Sequence, residues 1–318
     1  MSGLEPLKKI VLAVSKAAGF FPENYGRALA AASGLALYTS WGTERRRIQN
    51  TIDRISYRLG KKLCADTSLV VKRVFVHFSL NIYELMRFPW ITKAELDKKV
   101  IFHGIENLER ALKSGRGVIF VLPHIGNWEM LGAAIAHRGY PLNSFYLSQK
   151  EDELGSLLDY FRGFSGIKLH DRDRGGIKAL KALKKGEILG MLADQDGANM
   201  GVYLDFLGHF VSVPAGPANW SLKTGAIVVP MYSLRRGLSG TFDAVFLPGL
   251  ADEKAAAHQQ KVIDRTRKIC SWMESLILKY PHQYLWFYDR FKPRHEGWLA
   301  AAKRKSGQMV HGQAWYGS

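Results

Sequence analysis

The stretch that decides the fold is Gly117–Gly132, GVIFVLPHIGNWEMLG. It opens with a continuous apolar run of the length of a buried strand, and such runs are typical of parallel sheets that are covered on both faces. Pro123 and Gly126 predict a turn after this strand, and Asn127 predicts the N-cap of the helix that follows. His124 is therefore expected at the carboxyl end of the strand, where the sites of α/β sheets lie.

The alternation of strand and helix continues toward the C-terminus but not toward the N-terminus. From Val100 onward, runs of strand length alternate with segments of helical periodicity, as far as a long helix predicted from about Glu253 to Lys279. The alternation predicts an α/β layered domain with a mostly parallel or mixed central sheet flanked by helices. We expect a helical, membrane-associated region over residues 1–96, this α/β domain over 97–298, and a flexible tail over 299–318.

The charge balance restricts the class of partner. Among 318 residues, 45 Lys and Arg stand against 28 Asp and Glu, a net charge of +17. Such a surface attracts anionic lipid headgroups, acidic proteins or nucleic acid. The sequence has no zinc-site spacing, RNP-type aromatic box or helix-turn-helix pattern, so we expect neither a metal site nor a nucleic-acid partner.

Two cysteines, Cys64 and Cys270, exclude a disulfide framework and fit a reducing compartment.

The N-terminal region carries an apolar run beside a basic cluster. Ala28–Trp41 is shorter than the roughly 20 residues that span a bilayer, and Arg45–Arg47 follows it. No cleavable signal peptide is recognisable before it. The combination predicts an interfacial anchor on the cytoplasmic leaflet. The alternative is a buried hairpin of two helices packed on the main domain.

His124 and Glu129 form the candidate catalytic pair. Residues five apart on one helix lie roughly 140° apart, so the two side chains can meet only if His124 precedes the helix on the turn. Glu129 then falls in the first helical turn, where the helix dipole favours a carboxylate. A neutral imidazole with a carboxylate partner offers general base catalysis. The alternative is packing, with His124 ending the strand and Glu129 in solvent.

Several motifs in order resemble a known family. PHIGNWE is similar to the H-x4-D/E motif of glycerolipid acyltransferases, and its wording is closest to the lipid A biosynthesis lauroyl/myristoyl acyltransferases. The segment LADQDGANMGVYLDFLGHFVSVPAGPANWSLKTGAIVVPMYSLR resembles that family's D-Q-D, F-F-G and T-G-A-x-V-V-P blocks in the same order. YLWFYDRFKPR resembles its closing block. The resemblance covers residues from about 35 to 296.

The resemblance implies roles for individual residues. His124 corresponds to the general base and Glu129 to its partner, while the other matched positions are expected to bind substrate or shape its groove. These positions are Asn127, Arg162, Asp194, Gln195, Asp196, Phe206 and Gly208, with Arg290 and Lys292 in the closing block. The family's F-F-G reads F-L-G here, a departure that concerns the acyl groove.

A further basic pair lies in the segment HDRDRGG. Arg172 and Arg174 precede a predicted helix and are expected to bind a phosphate with its N-terminus. Paired with Asp171 and Asp173, they equally form a self-neutralising surface loop.

The implied function is transfer of a fatty acyl chain from acyl carrier protein or coenzyme A to a hydroxyl of a membrane glycolipid, in the first place a lipid A precursor. No covalent acyl-enzyme and no cofactor are implied, and the expected location is the cytoplasmic face of the bacterial inner membrane. The alternatives are another acceptor, such as a phosphatidylinositol mannoside or an amino-acid lipid, and a non-catalytic protein that binds anionic membranes. RNA binding is a weaker reading that rests on charge alone.

Overall fold

The computed structural model describes residues 5–146, 153–171, 174–252 and 257–291. The helices are α1 Glu5–Phe20, α2 Glu23–Ser40, α3 Gly42–Arg58, α4 Thr67–Met86, α5 Lys93–Lys99, α6 Ile105–Lys113, α7 Trp128–His137, α8 Glu153–Arg162, α9 Gly176–Lys184, α10 Gly216–Thr224 and α11 His258–Lys279. The strands are β1 Val100–His103, β2 Val118–Leu122, β3 Leu142–Tyr146, β4 Lys168–Asp171, β5 Ile188–Leu192, β6 Gly201–Phe206, β7 His209–Pro214, β8 Ile227–Arg235 and β9 Phe242–Phe246. Short 3-10 turns occupy Phe88–Trp90, Ala198–Met200 and Pro281–Gln283.

Seven strands form one mixed sheet in the order β1-β9-β8-β2-β5-β3-β4. The β8–β9 pair is antiparallel, and the other neighbours in this sheet run parallel. The α/β fold with a mixed central sheet flanked by helices is therefore confirmed. A separate antiparallel hairpin of β6 and β7 was not predicted.

The central strand β2 explains why GVIFVLP is apolar throughout. All five of its residues are buried. Ile119 and Val121 face one hydrophobic cluster, while Phe120 and Leu122 face another on the opposite side of the sheet. Because helices cover both faces, the strand has no polar alternation, and its carboxyl end leads directly into the turn at His124.

The N-terminal helices contribute to the same core. Ile48, Ile52 and Ile55 of α3 are fully buried in the cluster that also contains Ile119 and Val121. Helix α2 crosses α4 closely at Gly34, where an added Cβ would lie 2.7 Å from the Val76 Cα. The predicted domain boundary at residue 96 falls inside α5.

The first two helices also keep an apolar surface. Ile10, Val14, Phe20, Tyr25 and Leu29 are between 50% and 73% exposed. Among the helices described, none combines the length and the apolar character needed to cross a membrane. The tail predicted over 299–318 lies outside the described residues, as does the start of the predicted final helix at 253–256.

Candidate active site

Two neighbouring parallel strands bring His124 and Asp194 together. Strand β5 pairs with β2 so that Leu192 lies opposite Leu122, and the Ala193 amide donates to the Leu122 carbonyl at 3.0 Å. Two residues beyond Leu122 and Leu192 come His124 and Asp194. Both side chains therefore leave the same edge of the sheet at adjacent positions.

The Asp194 carboxylate binds His124 at two points. Oδ1 lies 2.7 Å from the His124 Nδ1, and Oδ2 accepts from the His124 main-chain N–H at 3.0 Å. Burial raises the pKa of Asp194, but the charge of His124 and its hydrogen bonds outweigh burial and hold the pKa below its ordinary value. Because an ionised carboxylate only accepts, Asp194 selects the tautomer of a neutral His124 ring that carries its proton on Nδ1, and in that tautomer Nε2 has the free lone pair.

Two residues of the C-terminal segment hold Asp194 in place. Tyr284 is buried next to the Asp194 carboxyl group, and burial followed by the charge of Asp194 raises the pKa of Tyr284 well above its ordinary value. Arg290 Nε donates to the Asp194 carbonyl at 3.0 Å, and its Nη2 donates to the Ser212 carbonyl at 2.6 Å. Arg290 thus joins the main chain at Asp194 to strand β7. Tyr284 was not among the predicted site residues, and only its place in the closing block could have pointed to it.

The predicted hydrogen bond between His124 and Glu129 is wrong. Glu129 Oε1 accepts from Arg162 Nε at 3.0 Å and from Arg162 Nη2 at 2.6 Å, and also from Trp128 Nε1 at 3.1 Å. The first turn of α7 aims Glu129 toward the end of α8, while the Nδ1 of His124 is taken by Asp194. The charge of Glu129 raises the pKa of Arg162. Glu129 therefore anchors an arginine rather than orienting the histidine.

Asn127 lies in the protein interior and not on the cavity wall. It is 1% exposed, and its Oδ1 caps α7 by accepting from the Met130 amide at 2.9 Å. Its Nδ2 donates to Glu84 at 2.6 Å. The N-cap prediction is confirmed, but the expected contact of Asn127 with substrate does not fit this burial.

The remaining predicted positions divide into two groups. Gln195 and Asp196 line the cavity beside His124. Phe206 is 1% exposed and stacks on Phe291, so it is a core residue rather than a groove wall. Gly208 forms the β6–β7 turn with φ +72°, away from the cavity lining.

The basic pair predicted to bind phosphate receives no support. Arg174 is exposed and does not line the cavity; its main-chain N–H donates to Asp171 at 3.0 Å. Arg172 lies outside the described residues.

A cavity of about 1200 Å³ opens beside His124. Its polar lining residues include Glu129, Arg162, Gln195 and Asp196, together with Ser144, Asn219, Lys223 and His258. Apolar walls lie on both sides of the sheet. On the α7 side they comprise Phe120, Leu122, Leu131, Ile135, Leu142 and Ile167, and on the α10 side Phe145, Met191 and Trp220. His124 thus borders a cavity whose lining is mostly apolar.

The polar side chains around His124 were also compared with the requirements of a metal site. Within the described ranges, no group of three or more His, Cys, Asp or Glu side chains has the geometry to hold a metal ion. His124 and Asp194 are instead engaged with each other.

Comparisons with known proteins agree with this geometry. The family described as bacterial lipid A biosynthesis acyltransferase matches residues 6–293. A lipid A biosynthesis acyltransferase of Haemophilus influenzae is 25% identical over 231 residues, which are 72% of this chain and 70% of that protein. A phosphatidylinositol mannoside acyltransferase of Mycobacterium tuberculosis is 28% identical over 188 residues, 57% of this chain and 60% of that protein. A lipid A biosynthesis myristoyltransferase of Escherichia coli is 22% identical over 212 residues, 66% of this chain and 64% of that protein. The chain therefore belongs to the family of bacterial lipid A biosynthesis acyltransferases, and it is an acyltransferase.

Proposed function

We propose that the protein transfers a fatty acyl chain from a thioester, carried by acyl carrier protein or coenzyme A, to a hydroxyl of a membrane glycolipid. The observation that carries the proposal is the His124–Asp194 pair, whose histidine lines a mostly apolar cavity of about 1200 Å³. A base next to a hydrocarbon channel fits a reaction in which an alcohol attacks the first carbon of a fatty acyl chain.

The proposed reaction is direct transfer. Nε2 of His124 takes the proton of the acceptor hydroxyl as its oxygen attacks the thioester carbonyl, and Asp194 stabilises the imidazolium that forms. The tetrahedral intermediate collapses by breaking the carbon–sulfur bond. The thiolate leaves and takes up the proton from His124, so the enzyme returns to its starting state without a covalent intermediate.

Arg162 supplies positive charge next to this reaction. Its side chain is 29% exposed and is fixed by Glu129 through two hydrogen bonds to one oxygen. A fixed cation in the wall of the cavity that His124 also lines suits the developing oxyanion of the intermediate, because a preorganised charge needs no rearrangement during the reaction. Glu129 contributes indirectly by holding this cation.

The acceptor is proposed to be a lipid A precursor. Relatives named for lipid A biosynthesis support this, while relatives named for phosphatidylinositol mannoside support the alternative acceptor. The test is incubation of purified protein with acyl carrier protein and coenzyme A thioesters and with both classes of acceptor, followed by lipid mass spectrometry. Acylation of the mannoside alone would replace the lipid A precursor as the acceptor.

We further propose that the protein works on the cytoplasmic face of the bacterial inner membrane, attached through α1 and α2. The exposed apolar side chains of these helices, together with the net charge of +17, fit an anionic bilayer surface. The double variant Phe20→Ser and Leu29→Ser should lose sedimentation with anionic vesicles. Tyr57→Ser on α3, where Tyr57 is 87% exposed, is the matched control and should keep it. Equal binding by both variants would remove α1 and α2 from the proposal.

A non-catalytic membrane-binding protein gives a different result in the same assays. It would bind vesicles with or without His124→Ala and would consume no thioester in either form.

A further inference from the structure

A buried ionic network lies behind the turn that carries His124. Its members are Glu84 of α4, Arg27 of α2 and Arg235 at the end of β8, which are 4%, 7% and 2% exposed. Arg27 Nη1 donates to Glu84 Oε1 at 2.6 Å, and Arg235 Nη2 donates to Glu84 Oε2 at 2.6 Å. Arg235 Nη1 makes a further short contact with Glu84 Oε1. None of the three lines the cavity.

The network reaches the turn through Asn127. Glu84 Oε2 accepts from Asn127 Nδ2 at 2.6 Å, while Asn127 Oδ1 accepts from the Met130 amide at 2.9 Å. A carboxylate has no proton to donate, so Glu84 allows only one of the two orientations of the Asn127 amide. In that orientation the oxygen faces the start of α7, the helix whose first turn carries Glu129.

A second connection fixes the main chain of the same turn. Asn81 Nδ2 donates to the Gly126 carbonyl at 2.7 Å, and Asn81 Oδ1 accepts from Arg235 Nη2 at 2.6 Å. The Gly126 amide donates to the Gln283 carbonyl at 3.0 Å, and the Gln283 side chain bonds both main-chain groups of Arg235. Gly126 has φ +63°, and a Cβ there would lie 1.8 Å from the Ser233 carbonyl oxygen. The turn is thus held from outside at both main-chain groups of Gly126.

Stability alone does not account for such a network. A buried ion pair loses about as much free energy through desolvation as it gains by attraction, and apolar replacements of similar volume are often no less stable. The network also buries two arginines against one carboxylate. What it supplies is a fixed position for Gly126 and Asn127, two of the four residues that separate His124 from Glu129.

We propose that Glu84 is a positioning residue for acyl transfer: held by Arg27 and Arg235, it orients Asn127 and so sets His124 and the start of α7 relative to one another. The inference rests on the proposed function, because the position of the turn is measured through the rate of acyl transfer. Glu84 does not touch the reacting atoms and acts only through the turn.

Asn127→Asp tests this inference. Aspartate is as good an N-cap as asparagine, but at this position it meets the buried Glu84 carboxylate, which bonds the Asn127 amide at 2.6 Å, so lower thermal stability is expected in any case. A purely structural role therefore predicts a less stable protein whose folded form keeps its full kcat. If Glu84 orients the turn, the new carboxylate faces another carboxylate and displaces it. We expect kcat to fall on the order of 10- to 100-fold, because small misplacements of catalytic groups have effects of that size, while KM changes little.

Three further variants complete the design. Glu84→Gln alone is expected to lower kcat. The double variant Glu84→Gln with Asn127→Asp exchanges donor and acceptor while keeping the total charge, and it should regain activity above either single variant. Arg265→Met is the matched control, because Arg265 is 4% exposed and binds Ser221 and Asp252, which are not part of the turn. It should lower the melting temperature but leave kcat unchanged.

The outcomes separate this inference from the proposed function. Full kcat for folded Asn127→Asp, or a double variant no better than Asn127→Asp, would overturn the positioning role. If the wild type transfers no acyl group, the proposed function fails, and the position of the turn is read instead by ¹⁵N NMR of the His124 ring. The expected spectrum has the proton on Nδ1 in the wild type, a loss of that state in Asn127→Asp and its return in the double variant; three identical spectra would also overturn the inference.

Discussion

Replacing Asp194 with asparagine separates the two carboxylates that compete for the role of partner to His124. Asp194 accepts from the His124 main-chain N–H at 3.0 Å through one oxygen, and its other oxygen lies 2.7 Å from Nδ1. An amide has one acceptor and one donor end, so it cannot serve both groups. If the NH2 faces the main-chain N–H, two donors meet and the turn is pushed apart. If it faces Nδ1, the ring proton moves to Nε2, and the base is lost.

The expected size of the effect follows from this geometry. Forcing the wrong histidine tautomer in a catalytic triad lowers kcat about 10⁴-fold, and we expect Asp194→Asn to lower kcat by about 10³- to 10⁴-fold. That factor corresponds to about 4 to 5.5 kcal/mol of transition-state stabilisation. Glu129→Gln is the matched control, since the amide oxygen still accepts from Arg162 and only the charge is lost. Its expected loss of kcat is on the order of 10-fold.

The assay is steady-state acyl transfer by the purified variants, with circular dichroism and thermal unfolding to show that each is folded. Asp194→Asn activity within tenfold of wild type would refute the assignment of Asp194 as the orienting group. If Glu129→Gln lost as much kcat as Asp194→Asn, the prediction that Glu129 is the partner of His124 would stand again.

Two further predictions concern the channel and acid stability. Gly190 lies on β5 in the cavity wall, where a Cβ would approach no atom closer than 3.6 Å, so Gly190→Val should fold, fill part of the channel and shift selectivity toward shorter acyl donors. Each methylene displaced costs about 0.8 kcal/mol, roughly fourfold in kcat/KM, and an unchanged chain-length profile would place the acyl chain elsewhere. The pKa of His77 is lowered to about 3 by burial and then by the charges of Arg235, His282, Arg73 and Arg27. In the unfolded chain His77 takes up a proton near pH 6.5, whereas in the folded protein it does so only near pH 3. The free energy of unfolding is therefore highest above pH 6.5 and falls by up to about 5 kcal/mol as the pH is lowered toward 3. His77→Gln should flatten that part of a urea-unfolding profile, and a profile parallel to wild type would contradict the assignment.

Local patterns predicted much of the framework. The apolar run of β2, Pro123, and the N-cap at Asn127 specify strand, turn and helix within a dozen residues, and the structure has each where expected. Repetition of this alternation predicted the α/β sheet. These features depend on neighbours in sequence, which is why a single sequence is sufficient to find them.

The partner of His124 depended on a distant contact. Glu129 is near in sequence, but Asp194 is brought beside His124 by the pairing of β2 with β5, and neither the strand order nor the register can be read from spacing. The same applies to Glu84, which is 43 residues from Asn127. Phe206 was selected through a motif, which does not reveal whether a side chain faces the core or the cavity.

The most direct test of the account measures acylated lipid formed per thioester consumed, by wild type and by His124→Gln, with acyl carrier protein and coenzyme A donors and a lipid A precursor as acceptor. We expect one acylated lipid for each thioester in the wild type. Transfer by folded His124→Gln should be lower by about 10³-fold or more. Transfer by His124→Gln at a rate near that of the wild type, or thioester consumption without any acylated lipid in the wild type, would contradict the claim that this site performs acyl transfer with His124 as its base.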